Sequence, residues 1–178
     1  MSYKGKIILN SKQLSLTIDR LSFEVIENHK TFIDTAIIGM QPRGILLSKQ
    51  IHSILESNMK EVIKYGLLDT TFFRDDFRRR DDIILPNKTN IDFSLEGINV
   101  ILIDDVLFTG RSIRSALDAL VSFGRPSSVE LLVLIDRRFS RELPIQPKYI
   151  GKSVDVIDNE YVVVNLEKKN SDVMLLSV

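Results

Sequence analysis

Val100-Ile101-Leu102-Ile103 is an unbroken apolar run that ends abruptly on two acids, Asp104 and Asp105. Successive side chains of a strand point to opposite faces. A strand with no polar alternation must therefore be covered on both faces. That requirement excludes a half-wetted sheet for this segment and asks for helices above and below it. Ala36-Ile37-Ile38-Gly39 and residues 129–135 read as further buried strands, residues 66–73 as another, and residues 161–166 as a late edge strand.

Helical faces fall between these runs. Leu14, Ile18, Leu21 and Val25 recur at helical spacing after Asn10 or Ser11, either of which suits an N-cap. Leu47, Ile51, Ile54 and Leu55 form a second face. A third helix is expected from about residue 113 to 123, with Ile113, Ala116, Leu117 and Leu120 on one face and Gly124 stopping it. Strands alternating with helices predict an α/β fold with a largely parallel central sheet. Ligands of such sheets bind at the carboxyl ends of the strands. The unusual residues cluster there, after Gly39, Phe73, Ile103 and Ile135.

A length of 178 residues suits one domain with a real core, so residues 1–178 are read as a single unit. Cysteine is absent, which excludes disulfides and thiolate metal sites and fits a reducing cytoplasm. No leader and no apolar run near 18 residues is present, so neither secretion nor a membrane span is expected. The 24 basic and 24 acidic residues cancel, giving no support for a large nucleic-acid surface beyond a local basic patch.

The chemistry concentrates in residues 100–112. Two carboxylates appear where a buried strand ends, and Thr109-Gly110-Arg111-Ser112 then opens a helix. A helix N-terminus carries unpaired N–H groups and about half a positive charge. Loop amides and hydroxyls there can wrap a phosphate, and Gly110 permits close approach. Asp104 and Asp105 can accept hydrogen bonds from vicinal hydroxyls, so the whole suits a ribose 5-phosphate. The same residues also suit a plain strand–loop–helix with capping acids. A Walker loop is excluded, because no Gly-Lys-Ser/Thr follows. Residues 74–92 are a long, charge-rich segment with little to bury, the kind of loop that is functional or disordered.

Residues 100–112 resemble the signature that binds 5-phosphoribosyl 1-diphosphate (PRPP) in type I phosphoribosyltransferases. The resemblance implies that Asp104 and Asp105 hold the ribose hydroxyls and, directly or through water, Mg²⁺. It implies that Val106, Leu107, Phe108, Thr109, Gly110, Arg111 and Ser112 hold the 5-phosphate. Three further stretches are similar to the family of bifunctional pyrimidine-operon regulators and uracil phosphoribosyltransferases. Residues 39–45 look like its diphosphate loop, assigning Gln41, Pro42, Arg43 and Gly44, with Pro42 where the family usually has Thr. Residues 68–76 look like the strand leading into its flexible catalytic loop, here about 74–92, with Arg74 reaching the leaving diphosphate. Residues 124–152 look like its base-binding end, placing Asp136, Arg137 and Val154 by the nucleobase and a small hood over about 137–160.

Two departures besides Pro42 stand out. The family's Asp-Arg-Gly is replaced by Asp136-Arg137-Arg138-Phe139-Ser140-Arg141, without the Gly and one residue longer. Between Gln13 and Asn28 the sole cation is Arg20, against Asp19, Glu24 and Glu27, a poor surface for RNA. The expected activity is Mg²⁺-dependent transfer of phosphoribose from PRPP to uracil, giving UMP and diphosphate, by a homodimer or homotetramer. Open beside it are an RNA-binding regulator that senses UMP or PRPP with little catalysis, and a phosphoribosyltransferase for another base.

Overall fold

The computed structural model describes residues 4–73, 88–156, 160–167 and 171–177. In chain order the elements are β1 (Lys4–Leu9), α1 (Ser11–Asn28), β2 (Thr35–Met40), α2 (Gly44–Met59), β3 (Lys64–Leu68), β4 (Asn99–Leu107), α3 (Arg111–Leu120), β5 (Ser128–Arg138), β6 (Tyr149–Asp155), β7 (Glu160–Asn165) and β8 (Asp172–Ser177). The central sheet has the order β3-β2-β4-β5-β6, with every neighbouring pair parallel. No helix among the described residues is long and apolar enough to cross a membrane.

The unbroken apolar runs are explained by two cores, one on each face of this sheet. Ile37, Ile101, Ile103, Leu132 and Leu134 pack against Leu14, Leu21, Leu47 and Ile51 of α1 and α2. Ala36, Ile38, Val100, Leu102 and Val133 pack on the other face against Ile113, Ala116 and Leu120 of α3. The alternation between the two cores over residues 36–38, 100–103 and 131–134 is the period-2 geometry of the pleat; Ile135 departs from it by joining Leu134 in the α1–α2 core. Asn10 caps α1 in a reciprocal box, its side chain accepting from the Gln13 N–H at 2.9 Å while Gln13 Oε1 accepts from the Asn10 N–H at 3.0 Å. Arg20 fastens α1 to β6 by donating to the Ile150 and Gly151 carbonyls at 2.9 and 2.7 Å.

Several boundaries differ from the sequence expectation. The strand over 66–73 stops at Leu68, because Asp69 turns the chain: its Oδ1 accepts the Thr71 N–H at 2.7 Å, and a short 3-10 turn follows at Thr71–Phe73. The third helix starts two residues earlier, at Arg111, and its last turn, Val121–Phe123, is a 3-10 turn ending at Gly124 with φ 128°. Strand β5 runs to Arg138, three residues beyond Ile135, because β6 pairs with it up to Arg138 and Asp155. The late strand is β7, and it forms the edge of a second, antiparallel sheet of order β1-β8-β7. That sheet joins the two ends of the chain and buries Leu9, Val162 and Val173 in the α1–α2 core. Residues 137–160 contribute the end of β5, all of β6 and the first residue of β7.

Candidate active site

Strand order reverses between β2 and β4: β3 lies beyond β2, while β5 and β6 extend the other way. At such a switch point the loops leaving the two strands diverge and open a crevice. A cleft of about 760 Å³ occupies this place. Its walls come from Met40 to Arg43 at the end of β2, Asp104, Asp105, Val106, Phe108 and Thr109 at the end of β4, Arg137 at the end of β5, and Glu160 to Val162 of β7.

The acid pair sits at the floor. Asp105 is 6% exposed, and each carboxylate accepts the next residue's backbone N–H: Asp104 Oδ1 from Asp105 at 2.9 Å, Asp105 Oδ1 from Val106 at 2.8 Å. Burial and the Asp105 charge push Asp104 well above the usual carboxylate range, against the opposing pull of Arg43. Burial also raises Asp105, although Arg43 and the Val106 N–H favour its ionised form. Gly44 makes this arrangement compact. A Cβ there would meet the Ile103 carbonyl oxygen at 2.6 Å and Asp104 Cα at 3.3 Å, so only glycine lets the start of α2 rest on the acid pair.

A smaller recess of about 260 Å³ adjoins the acids, lined by Asp104 and residues 106–113. This is the loop that opens α3. Gly110 takes φ 91°, and its missing side chain leaves room for Leu143 and Ile145, whose atoms would lie within 3.5 Å of a Cβ. The loop is braced from beneath. The Thr109 carbonyl accepts the N–H groups of Glu142 and Leu143 at 3.0 and 3.2 Å, and Arg111 Nε donates to Glu142 at 2.6 Å. A concavity at a helix N-terminus, held by an outside segment, has the form in which loop amides can receive an anion.

The far wall distinguishes two adjacent residues. Arg137 lines the cleft, with its guanidinium carbon 4.0 Å from the Phe108 ring centroid. Burial pulls Arg137 below its ordinary value, against the charges of Glu160 and Tyr161. Its Nε has no hydrogen-bond partner among the described residues. Asp136 points to the opposite face of β5, where Arg141 binds its carboxylate and also donates to the Phe108 carbonyl. Val154 packs into the α1–α2 core. Of the three residues expected beside a base, Arg137 therefore faces the cleft, while Asp136 and Val154 are engaged elsewhere; strand alternation and the Arg141 pair are the reasons.

Gln41, Pro42 and Arg43 line the cleft opposite the loop, and the Gln41–Pro42 peptide is cis. Gln41 Nε2 donates to the Lys88 carbonyl at 2.9 Å. The chain returning at residues 88–90 is tied to β3, with Leu67 and Asn90 exchanging both backbone hydrogen bonds at 2.9 and 2.8 Å. Arg74 and most of the expected catalytic loop, residues 74–87, lie outside the described residues.

Sequence reasoning missed Tyr161 and Val162 as cleft residues, and Arg141 as the brace of the loop. Only the Arg141-Glu142-Leu143-Pro144-Ile145 stretch carried a signal, and it carried no role. His29, expected at the surface, instead contacts Glu130 at 2.8 Å in a half-buried network with Lys148 and Tyr149.

A family model described as the phosphoribosyl transferase domain matches residues 4–170. A curated relative named Bifunctional protein PyrR from Elusimicrobium minutum is 38% identical over 167 residues, 94% of this chain and 93% of the relative. A protein of the same name from Listeria welshimeri is 40% identical over 167 residues, 92% of this chain and 90% of its own length. Among solved structures, a hypoxanthine phosphoribosyltransferase from Trypanosoma cruzi superposes with a TM-score of 0.74 at 15% identity, covering 99% of this chain and 93% of that one. One from Staphylococcus aureus gives 0.65 at 18% identity, covering 89% and 81%. At those identities the structures speak for the fold alone.

Proposed function

Because the chain belongs to the phosphoribosyl transferase domain family, and within it to the bifunctional PyrR proteins, we propose that it transfers 5-phosphoribose from PRPP to N1 of uracil. The observation that carries this reading is the acid pair at the sheet's switch point, directly beside a braced recess at the start of α3. In this reading the recess takes the 5-phosphate, Asp104 and Asp105 take the ribose hydroxyls, Gln41 to Gly44 face the diphosphate, and Arg137 faces the base. The bond from C1′ to the diphosphate oxygen breaks, the electron pair leaving with diphosphate. A bond from C1′ to uracil N1 forms, and the N1 proton goes to solvent.

The donor set suits Mg²⁺. Two adjacent carboxylates offer hard oxygens, fewer than six, so waters and substrate oxygens would complete the shell. When bound, the ion neutralises charge on the leaving diphosphate. The chain's own part is positioning and fixed electrostatics: the loop amides and α3 hold the phosphate, and the acids orient the sugar.

The test is diphosphate release from PRPP and Mg²⁺ with uracil, hypoxanthine, guanine, adenine or orotate offered separately. Release with uracil alone supports the assignment; release with a different base reassigns the substrate and implicates residues 136–141. The relatives are named bifunctional, so a regulator that binds pyrimidine-operon leader RNA in response to UMP or PRPP is the second reading. Arg20, the sole cation between Gln13 and Asn28, is already occupied by two carbonyls of β6, which weighs against that helix as an RNA face. A gel shift with such a leader, with and without UMP, decides it. A homodimer or homotetramer is proposed on family grounds, and light scattering of the purified chain measures it.

A further inference from the structure

We propose that Phe139 grips the nucleobase, its ring covering the flat face of the base at the rim of the cleft. The inference rests on the phosphoribosyl-transfer reading of that cleft.

Phe139 is unfavourable by every local measure. Its φ is 67°, a left-handed conformation that strains a bulky residue. Its side chain is 84% exposed, so a large apolar ring faces water. Neither backbone preference nor burial explains why phenylalanine stands there. Yet Phe139 lines the cleft together with Ser140.

Both flanks of this tip are clamped. On one side Arg138 makes a two-pronged pair with Asp155, Nε and Nη2 donating at 2.7 and 2.9 Å. On the other, Arg141 is bound to Asp136 and to the Phe108 carbonyl. Residues 139 and 140 therefore hang between two arginine–carboxylate pairs, and the ring is presented with little backbone freedom. A preorganised aromatic loses little entropy on binding. The cleft's other phenylalanine, Phe108, has a face taken by Arg137 at 4.0 Å; over Phe139 the Arg138 guanidinium stands farther off, at 5.8 Å, and Tyr161 of β7, the third aromatic of the cleft, is less exposed than Phe139. A flat, π-rich ligand with polar edges is what an exposed aromatic on a cleft wall recognises, and stacking of this kind accepts any base.

The experiment compares equilibrium binding of UMP and ribose 5-phosphate to the wild-type chain, Phe139→Ala and Phe139→Trp. The two probes share the sugar phosphate and differ only in the base. Phe139→Ala should weaken UMP about ten-fold, at the lower end of the range for one stacked base. Ribose 5-phosphate should stay within about two-fold, and Phe139→Trp should keep UMP affinity. Thermal unfolding of each variant checks that the fold persists. UMP affinity unchanged in Phe139→Ala, or both probes weakened alike, overturns the proposal while leaving the cleft reading intact. A wild-type chain that binds neither probe overturns the cleft reading and this proposal with it.

Discussion

One guanidinium nitrogen of Arg141 binds the Asp136 carboxylate while another binds the Phe108 carbonyl, so a single side chain ties the end of β5 to the loop that follows β4. Lysine puts its three donors on a single nitrogen, so it lacks the two separate nitrogens with which Arg141 meets its partners in a fixed geometry. Arg141→Lys is therefore expected to destabilise the fold by about 1–3 kcal/mol, the cost of leaving a partly buried charge-assisted contact unmade. It should also weaken ribose 5-phosphate binding more than Phe139→Ala does, because it loosens the recess and not the rim. Denaturant titration and phosphate-ester binding of the two variants check this; equal ribose 5-phosphate affinities in wild type and Arg141→Lys would contradict the brace.

Asp105→Asn tests the acid pair. Asparagine keeps the volume, and its carbonyl can still accept the Val106 N–H, so the fold should persist. One of two like charges held side by side is removed, and the ligand-free chain should melt a few degrees higher. Turnover should fall on the order of 100-fold. Steady-state diphosphate release gives the answer, and a variant with wild-type turnover would sink the assignment of the site.

Gly44→Ala places a methyl 2.6 Å from the Ile103 carbonyl oxygen and 3.3 Å from Asp104 Cα. The neighbours are backbone, so α2 must move away from β4. Overpacking of this kind costs about 1–3 kcal/mol. The melting temperature should drop by several degrees, and PRPP affinity should fall in the same variant, since the acids lose their support. Calorimetry with a PRPP titration reads both quantities.

Far from the cleft, Glu130 accepts from Lys148 Nζ at 2.6 Å and Tyr149 Oη at 2.8 Å and contacts His29 Nε2 at 2.8 Å. Burial pushes its carboxyl up, but these three partners outweigh it and hold the group below the usual range. A lowered folded-state value means stability that is present above the unfolded pKa, about 4.3, and lost as pH falls through the folded one. Glu130→Gln should therefore cost about 1–3 kcal/mol at pH 7, with the gap to wild type narrowing at a pH well below the unfolded value of about 4.3. Urea midpoints at the two pH values measure it, and a gap that does not change with pH would show that the charge is not responsible.

Much of the site was legible because its parts are neighbours in sequence. Apolar runs imposed a sheet covered on both faces, and the acids, Gly110 and the opening of α3 lie within thirteen consecutive residues, where local geometry suffices. Of the two candidate caps, Asn10 and Ser11, the structure uses Asn10. Pairing across long separations was not legible. Strands β1 and β8 meet at Lys4 and Ser177, and their sheet carries Tyr161 and Val162 to the cleft. Whether Asp136 or Arg137 faces the ligand depended on the register of β5 against β4 and β6, and on Arg141 reaching back for the carboxylate. Periodicity and composition determine which segments become strands and helices. Which of their side chains meet is decided only when the folded sheet brings distant partners into hydrogen-bonding range, since that choice is a difference between competing long-range contacts that no local window contains.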